Sequence, residues 1–249
     1  MLASGPFTLK NLRAAVATAA STLAVTVLGA GCGPAWSETT TSRSGSDTST
    51  LTFEYSSCPF GCGLGRPALQ GSTLTIAVKG GAANAKLSAR LTGTPVGRIA
   101  DQSYSCDSGA CILSLTIETT HEGDAKLEAV DPTGNVVDAA TLSVQPAASL
   151  EVNVDGRRYV ADGGFHDVKQ GDRLPVSTRA LSADGKGLFF SRHGISQEYA
   201  NKAIVGPGDG FVLFGETIVE DAIANTVGET TLTLRAGGAE SVVRFRVTK

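Results

Sequence analysis

The sequence has few histidines, no excess of positive charge and only one long apolar run. Its 249 residues include three histidines, one tryptophan and one methionine, and its 24 acidic residues outnumber its 21 lysines and arginines. A formal charge of −3 leaves no basic surface for nucleic acid, so no polyanionic partner is predicted. The 41% apolar content is ordinary for a globular protein, and the length allows one or two domains.

The rarity of histidine limits the catalytic chemistry that the chain can carry. His121, His166 and His193 are far apart, and none lies in an HxH, HExxH or GxSxG motif. A catalytic triad can still assemble from distant positions on any fold. The Gly-rich turns offer one acid each, whereas a calcium loop needs several oxygen ligands. We therefore predict no enzymatic activity, no cofactor and no metal site.

The one long apolar run lies at the N-terminus. Lys10 and Arg13 precede residues 14–31, which are rich in Ala and Thr, and residues 1–31 contain no acid. A charged segment followed by an apolar segment is typical of an export signal. A membrane span needs about 20 strongly apolar residues, so cleavage is favoured over an uncleaved anchor. We predict that residues 1–31 are a signal peptide.

The segment LGAGC at residues 28–32 resembles the lipobox of bacterial lipoproteins. The resemblance implies that Cys32 becomes the N-terminus and carries acyl chains, palmitate among them, that hold the protein on a membrane of the cell envelope. Gly29, rather than the usual Leu, stands three residues before the cysteine. Gly33 stands where an Asp would retain such a lipoprotein in the inner membrane, so the outer membrane is favoured. An ordinary signal peptide cleaved nearby is the alternative.

Residues 32–50 are predicted to be a flexible tether. Ten of the fourteen residues from 37 to 50 are Ser or Thr, and none is apolar, so this segment cannot build a core. A flexible chain of this length reaches roughly 25 Å. An O-glycosylated stalk is the alternative interpretation.

From Leu51 onward, apolar and polar residues alternate with a period of two, as half-buried antiparallel strands require. Residues 112–118, ILSLTIE, and residues 242–247, VVRFRV, are clear examples. The turn DPTGN, at residues 131–135, is expected to close a hairpin. The PAAS stretch at residues 146–149 divides the chain into predicted all-β domains of residues 51–145 and 149–249.

The C-terminal segments of the two halves share one pattern: a Gly-acid pair, an alternating strand, a Gly-bearing turn and a final alternating strand. The segments are GDAKLEAVDPTGNVVDAATLSV and GETTLTLRAGGAESVVRFRV. This pattern resembles the closing hairpin of bacterial immunoglobulin-like domains, which occur in tandem on surface proteins and lipoproteins. The resemblance implies two immunoglobulin-like β-sandwiches in tandem after the signal peptide and tether. Neither half has the Cys, Trp, Cys spacing of antibody domains.

Four cysteines remain once Cys32 is set aside. They form the motifs CPFGC, with Cys58 and Cys62, and CDSGAC, with Cys106 and Cys111. An even number in an exported chain indicates disulfides. Local pairing within each motif is favoured because DSGA suits a hairpin turn. Crossed pairing between the motifs is the second alternative, since it closes longer loops and would stabilise the fold more. A Cys₄ zinc site is the third alternative. We expect all four at one end of the first sandwich.

Residues 186–214 concentrate aromatic side chains, and the alternation fails between residues 191 and 203. One interpretation makes residues 191–201 a connection and places four apolar residues in the second core. These are Leu188, Phe190, Phe211 and Leu213. The functional interpretation is a recognition surface on a loop at the end of the sandwich. Its candidate residues are Arg192, His193, Gln197 and Tyr199.

Three functional hypotheses follow. The first is a non-catalytic, membrane-anchored envelope lipoprotein that binds a protein or glycan or acts as a spacer, facing the periplasm or the cell surface. The second is a periplasmic hydrolase or accessory enzyme, which requires a pocket joining His166 or His193 to an acid and a nucleophile. The third is an envelope assembly factor that binds extended chains at an uncharged sheet edge. The oligomeric state is open.

Overall fold

The computed structural model describes residues 51–58, 61–80, 86–107, 110–159, 164–191 and 193–249. The predicted signal peptide, Cys32 and the tether lie outside these residues, as does Arg192. The described part of the chain is built from strands, and it contains no helix of the length and apolarity needed to cross a membrane.

The first nine strands form two facing sheets. One sheet has the order β2-β1-β4-β7-β6 and the other β3-β9-β8-β5. The period of two is clearest in β7, where every second residue is buried between the sheets. The strands are β1 (Thr52–Tyr55), β2 (Cys62–Gly63), β3 (Ala68–Leu69), β4 (Thr73–Lys79), β5 (Ser88–Gly93), β6 (Gly97–Asp107), β7 (Ala110–Thr119), β8 (Gly123–Val130) and β9 (Val136–Gln145).

The last nine strands form a second pair of sheets. Their orders are β11-β10-β13-β16-β15 and β12-β18-β17-β14. The strands are β10 (Ser149–Val154), β11 (Arg157–Tyr159), β12 (Phe165–Lys169), β13 (Arg173–Leu181), β14 (Ser196–Tyr199), β15 (Val205–Phe214), β16 (Thr217–Ala224), β17 (Gly228–Ala236) and β18 (Ala239–Thr248).

Both sandwiches share one topology. Each has a sheet of four core strands, β1-β4-β7-β6 or β10-β13-β16-β15, facing a sheet of three, β5-β8-β9 or β14-β17-β18. This is the ABED and CFG arrangement of constant-type immunoglobulin domains. In each, a further short strand, β3 or β12, pairs in parallel with the last strand. The predicted all-β fold of two immunoglobulin-like sandwiches is confirmed.

The DPTGN hairpin turn is confirmed, and its carboxylate is occupied within the turn. Asp131 accepts hydrogen bonds from the backbone N–H groups of Thr133 and Asn135, both at 2.9 Å, and from the Thr133 hydroxyl at 2.7 Å. The Thr133 hydroxyl and these backbone donors lower the pKa of Asp131.

The cysteines form two local disulfides. Cys58 is bonded to Cys62 and Cys106 to Cys111, with Cα separations of 5.6 Å and 4.1 Å. Cys106 lies directly opposite Cys111 in the β6–β7 hairpin, as the DSGA turn predicts. The sequence left open a crossed pairing between the two motifs. The β6–β7 hairpin instead places Cys106 beside Cys111 through a local contact.

The expectation that all four cysteines share one end of the sandwich is wrong. In the β1–β4–β7 ladder, Thr52 pairs with Lys79 and Lys79 with Ile112, which is next to Cys111. Cys58 instead follows the opposite end of β1. Cys62 lies opposite Tyr55, whose partner on β4 is Ile76, so the two disulfides are about 13 Å apart along the strand direction. They brace opposite ends of the first sandwich.

Candidate recognition surface

The two sandwiches meet directly, with three residues of connection between them. Strand β9 ends at Gln145 and β10 begins at Ser149. Ala147 in this connection is buried, and the Ala148 N–H donates to the Leu181 carbonyl at 2.8 Å. All the described residues fall within one compact unit.

Each sandwich places one side chain in the core of the other. Phe189, from the second half, packs in the apolar cluster of the first sandwich, where its ring stacks on Tyr55 at 4.3 Å between centroids and 7° between planes. Leu69, from the first half, packs in the cluster of the second. Two backbone hydrogen bonds fix the exchange: Leu69 N–H to Phe189 carbonyl at 2.8 Å, and Phe189 N–H to Pro67 carbonyl at 2.9 Å.

Alternation along the chain explains why Phe189 crosses the junction. Leu188 and Phe190 point into the second core, where both are fully buried, so Phe189 between them points the other way. The predicted core positions Leu188 and Phe190 are therefore observed. Phe211 and Leu213, the other two, are partly buried against the same cluster.

A buried hydroxyl network holds the segment that carries Leu69. The Thr119 hydroxyl lies 2.7 Å from the Leu69 carbonyl and accepts the Ser72 N–H at 3.0 Å. The Ser72 hydroxyl also donates to the Leu69 carbonyl, at 2.7 Å. Because Thr119 and Ser72 are buried, the loss of either would leave buried polar groups without partners.

An ion-pair cluster closes the rim of the junction. Glu216, whose side chain is 14% exposed, lies 2.5 Å from Arg66 of the first sandwich and also pairs with Arg179 of the second. A Cβ at Gly187 would overlap the Glu216 carboxylate, so a side chain at this position would displace Glu216 from its ion pairs. Nearby, the Gly215 N–H donates to the Ser57 carbonyl at 3.1 Å, next to the first disulfide.

The segment predicted to carry the recognition surface lies beside this junction and contains a strand. Residues 191–201 were expected to be a connection, but Ser196–Tyr199 form β14, which pairs with β17. At Ser191, the backbone N–H donates to the Thr73 carbonyl of the first sandwich at 2.9 Å. Residues Ser196–Tyr199 form a strand because they pair with β17, which is distant in sequence, although their own apolar–polar alternation is weak.

The structure separates the candidate recognition residues. His193 is exposed, Gln197 is half-buried and Tyr199 is 9% exposed in the second core. The Tyr199 hydroxyl donates to Gln197 Oε1 at 3.3 Å, and burial raises the pKa of Tyr199 to about 12. Arg192 lies outside the described residues. Of the residues described, His193 therefore faces solvent, whereas the Tyr199 ring is part of the core.

His193 lines a shallow cleft of about 310 Å³ between β14 and the β17–β18 turn. The other lining residues are Gly194, Ser196 and residues 235–240. Arg235 in its wall donates to Glu198 and Glu240, both at 2.7 Å, and these two carboxylates raise the pKa of Arg235. The lining of the cleft is part polar and part apolar, and its charged side chains, Arg235 and Glu240, are paired with each other.

The cleft contains a serine, a histidine and an acid, the residue types of a hydrolase triad, but their hydrogen bonds are not those of a triad. The Ser196 hydroxyl is directed at the Arg235 carbonyl, at 3.4 Å, and Glu240 binds Arg235. A triad instead needs the hydroxyl on a histidine that is oriented by the acid. His166 lies elsewhere, with its ring edge-on to Phe245 at 6.1 Å and its pKa lowered by burial. Among the described residues, no three metal-binding side chains cluster.

The junction residues were missed at the level of sequence. Phe189, Leu69 and Glu216 stand in strands or turns whose local pattern gives no sign of a contact outside their own half. The doublet Phe189–Phe190 is the one available signal, because alternation cannot place both rings in the same core.

No protein-family model matches this sequence, and no curated protein matches it. Solved structures give weak similarities. Domains 5–6 of the S-layer protein SbsC are 15% identical, over 81% of this chain and 99% of that one, with a TM-score of 0.33. The I9–I11 tandem of titin is 15% identical, over 80% and 65%, with a TM-score of 0.36. InvD of Yersinia pseudotuberculosis is 14% identical, over 80% and 57%, with a TM-score of 0.32. At these scores the similarities carry no functional argument.

Replacing Phe189 should uncouple the two sandwiches. We expect Phe189→Ala to cost about 3–5 kcal/mol, because it empties a core site and removes the stack on Tyr55. Calorimetry should show one unfolding transition for the unaltered chain and two for this variant. The control is Phe190→Ala, which lowers the stability of the second core but leaves the junction ring in place. Two transitions in the unaltered chain would contradict the coupling.

The buried Tyr199 should make the protein sensitive to alkali. Its pKa is about 12 when folded, against 10.0 normally, so the neutral phenol favours the folded state. This stabilisation is complete below pH 10 and is lost as the pH rises from about 10 to about 12. Tyr199→Phe should therefore unfold at a higher pH, as followed by circular dichroism. Gln197→Met, which keeps the phenol, is the control, and an unchanged midpoint in Tyr199→Phe would refute the assignment.

Proposed function

We propose that this chain is a lipid-anchored, non-catalytic module of the bacterial cell envelope, in which two coupled sandwiches present a polar surface to a protein or glycan. The observation that carries the proposal is the reciprocal exchange of Phe189 and Leu69, because it makes the two sandwiches one mechanical unit. Two sandwiches coupled in this way can hold a binding surface at a fixed distance from the lipid anchor.

Export is supported by the cysteine chemistry. Disulfides persist in the oxidising compartments outside the cytoplasm, and both described pairs are bonded. The charged and apolar segments of residues 1–31 provide an export signal, and Cys32 provides the attachment site. The acyl chains that the lipobox resemblance implies would hold the protein on a membrane far more strongly than a single chain, which binds only marginally. Gly33 favours the outer membrane.

The strand directions support presentation away from the membrane. The chain enters β1 at the end of the first sandwich that carries the Cys106–Cys111 hairpin, and the junction is at the other end. Strand β18 then runs from the Ala236–Ala239 turn at the junction to Thr248 at the far end of the second sandwich. A tether on residue 51 therefore places the second sandwich beyond the first, whose ten-residue strand β7 is about 33 Å long.

The cleft at His193 is the surface that we assign to recognition. It lies in the outer sandwich, is open to solvent, and is lined by a histidine, a hydroxyl and a paired arginine. The polar groups in its wall suit a partner, such as a glycan or a hydrophilic protein loop, that can exchange hydrogen bonds with them.

The anchor is tested at Cys32. Palmitate labelling in cells that express the full chain should mark the protein, and Cys32→Ala should abolish the label and release the protein from the membrane fraction. The double variant Cys106→Ser/Cys111→Ser, which keeps the anchor, should remain labelled. Purified protein that retains residues 1–31 and carries no acyl chain would refute lipid anchoring.

Recognition is tested by photo-crosslinking in the same cells. A photoreactive residue at His193 should capture a partner at least several-fold more efficiently than one at Val227. Val227 is 49% exposed and lies at the opposite end of the second sandwich, so it controls for random collisions. Equal capture at the two positions would exclude the cleft as the recognition surface and favour a spacer.

A further inference from the structure

The Cys58–Cys62 disulfide lies beside the junction between the two sandwiches. Cys62 is opposite Tyr55 in the β1–β2 ladder, and the ring of Tyr55 stacks on Phe189 of the second sandwich. The Cys58 N–H donates to the Tyr55 carbonyl at 3.2 Å. One residue before Cys58, the Ser57 carbonyl accepts a backbone N–H of the second sandwich at 3.1 Å. Both cysteines therefore adjoin residues that contact the other sandwich.

The segment from Cys62 to Leu69 carries much of the first sandwich's side of the junction. Arg66 forms an ion pair with the second sandwich at 2.5 Å, and the Pro67 carbonyl accepts a backbone N–H from it at 2.9 Å. The side chain of Leu69 packs in the second core. The Tyr55 hydroxyl also donates to the Arg66 carbonyl, at 3.0 Å. The position of this segment against β1 therefore determines whether these contacts can form together.

The bridge is a covalent restraint on a segment that has little regular pairing with β1. Strand β2 pairs with β1 at two positions, where Gly63 faces Glu54 and Cys62 faces Tyr55. Strand β3, at the other end of the segment, belongs to the facing sheet and pairs with β9. The second disulfide is different, because the strands of its hairpin, β6 and β7, pair along almost their whole length and it lies away from the junction.

We propose that the Cys58–Cys62 disulfide is a redox-sensitive control of the junction. With the bridge formed, the segment from Cys62 to Leu69 is held against Tyr55 and the two sandwiches are coupled. With the bridge reduced, this segment separates from β1, and the stack on Phe189 and the backbone hydrogen bonds of the junction are lost together. The sandwiches then unfold separately. The proposal depends on the coupling of the sandwiches and is independent of the lipid anchor.

The reductant is a dithiol, such as the active-site pair of a thioredoxin-type oxidoreductase. Cys58 is buried, whereas Cys62 is half-buried between the exposed Gly61 and Gly63, so a thiolate of the reductant attacks Cys62 Sγ. The bond between the two sulfurs breaks, and Cys58 leaves as a thiolate that takes up a proton. The second thiolate of the reductant attacks the mixed disulfide and releases Cys62. Two electrons and two protons pass to the bridge, and the reductant becomes a disulfide.

Calorimetry of the full chain in detergent tests the proposal with two matched variants. Cys58→Ser/Cys62→Ser should show two unfolding transitions, as expected for Phe189→Ala. Cys106→Ser/Cys111→Ser, which removes the other bridge of the same sandwich, should keep the single transition of the unaltered chain. A single transition in both variants, even at a lower temperature, would overturn the proposal, because the bridge would then stabilise the first sandwich without controlling the junction.

Hydrogen exchange distinguishes a released junction from an unfolded sandwich. In Cys58→Ser/Cys62→Ser, peptides that contain the amides of Leu69 and Phe189 should exchange roughly tenfold faster or more, since these two groups bond across the junction. Peptides from the centre of β7, in the core of the first sandwich, should keep their protection. Equal acceleration in β7 would overturn the proposal, because the bridge would then be required for the whole sandwich to fold.

Reversibility is tested in the Cys106→Ser/Cys111→Ser background, in which Cys58–Cys62 is the remaining disulfide. Dithiothreitol should change one unfolding transition into two, and reoxidation with oxidised glutathione should restore the single transition. Reduction that leaves one transition, or a junction that does not recover after the bridge is formed again, would overturn the redox control. Two transitions in the oxidised, unaltered chain would overturn the coupling and the redox control together.

Discussion

The structure depends on one ring crossing from one sandwich into the other. Phe189 belongs in sequence to the second half, yet it completes the core of the first by stacking on Tyr55. A buried phenylalanine typically accounts for about 3–5 kcal/mol, a large share of the 5–15 kcal/mol that usually separates folded from unfolded domains. The first sandwich is therefore incomplete without the second, and the pair is better regarded as one folding unit than as two modules on a string.

Close approach at the junction is possible because glycine stands where a side chain would collide. Gly187 leaves the space that the Glu216 carboxylate occupies between two arginines. Gly237 has φ of +50°, and a Cβ there would lie 2.9 Å from Leu69 Cδ1. Around these points, buried hydrogen bonds from Thr119 and Ser72 satisfy the backbone that carries Leu69. Burial of Phe189 and Leu69 stabilises the junction, and the hydrogen bonds of Thr119 and Ser72 fix the position of the segment that carries Leu69.

The sequence predicted what is local and missed what is distant. Alternation identified the strands, and DPTGN and DSGA identified two hairpins, because each depends on neighbours in the chain. The DSGA turn also favoured local pairing of the cysteines. The strand β14, the burial of Tyr199 and the opposite positions of the two disulfides depend on which strands pair, and pairing joins residues tens of positions apart. The recognition surface stays a prediction: failed alternation singled out its segment, whereas only the fold shows that His193 is exposed and Tyr199 is buried.

The junction and the cleft are physically linked, although the cleft is lined by residues of the second sandwich alone. Gly237 and Gly238 form one wall of the cleft, and Gly237 packs against Leu69 of the first sandwich. The opposite wall begins at His193, two residues after Ser191, whose N–H is held by the Thr73 carbonyl of the first sandwich. Because both walls are fixed by the neighbouring sandwich, the shape of the cleft is a property of the pair. An isolated second sandwich would keep every lining residue but would lose the contacts that position them, so coupling and the shape of the cleft depend on the same interface.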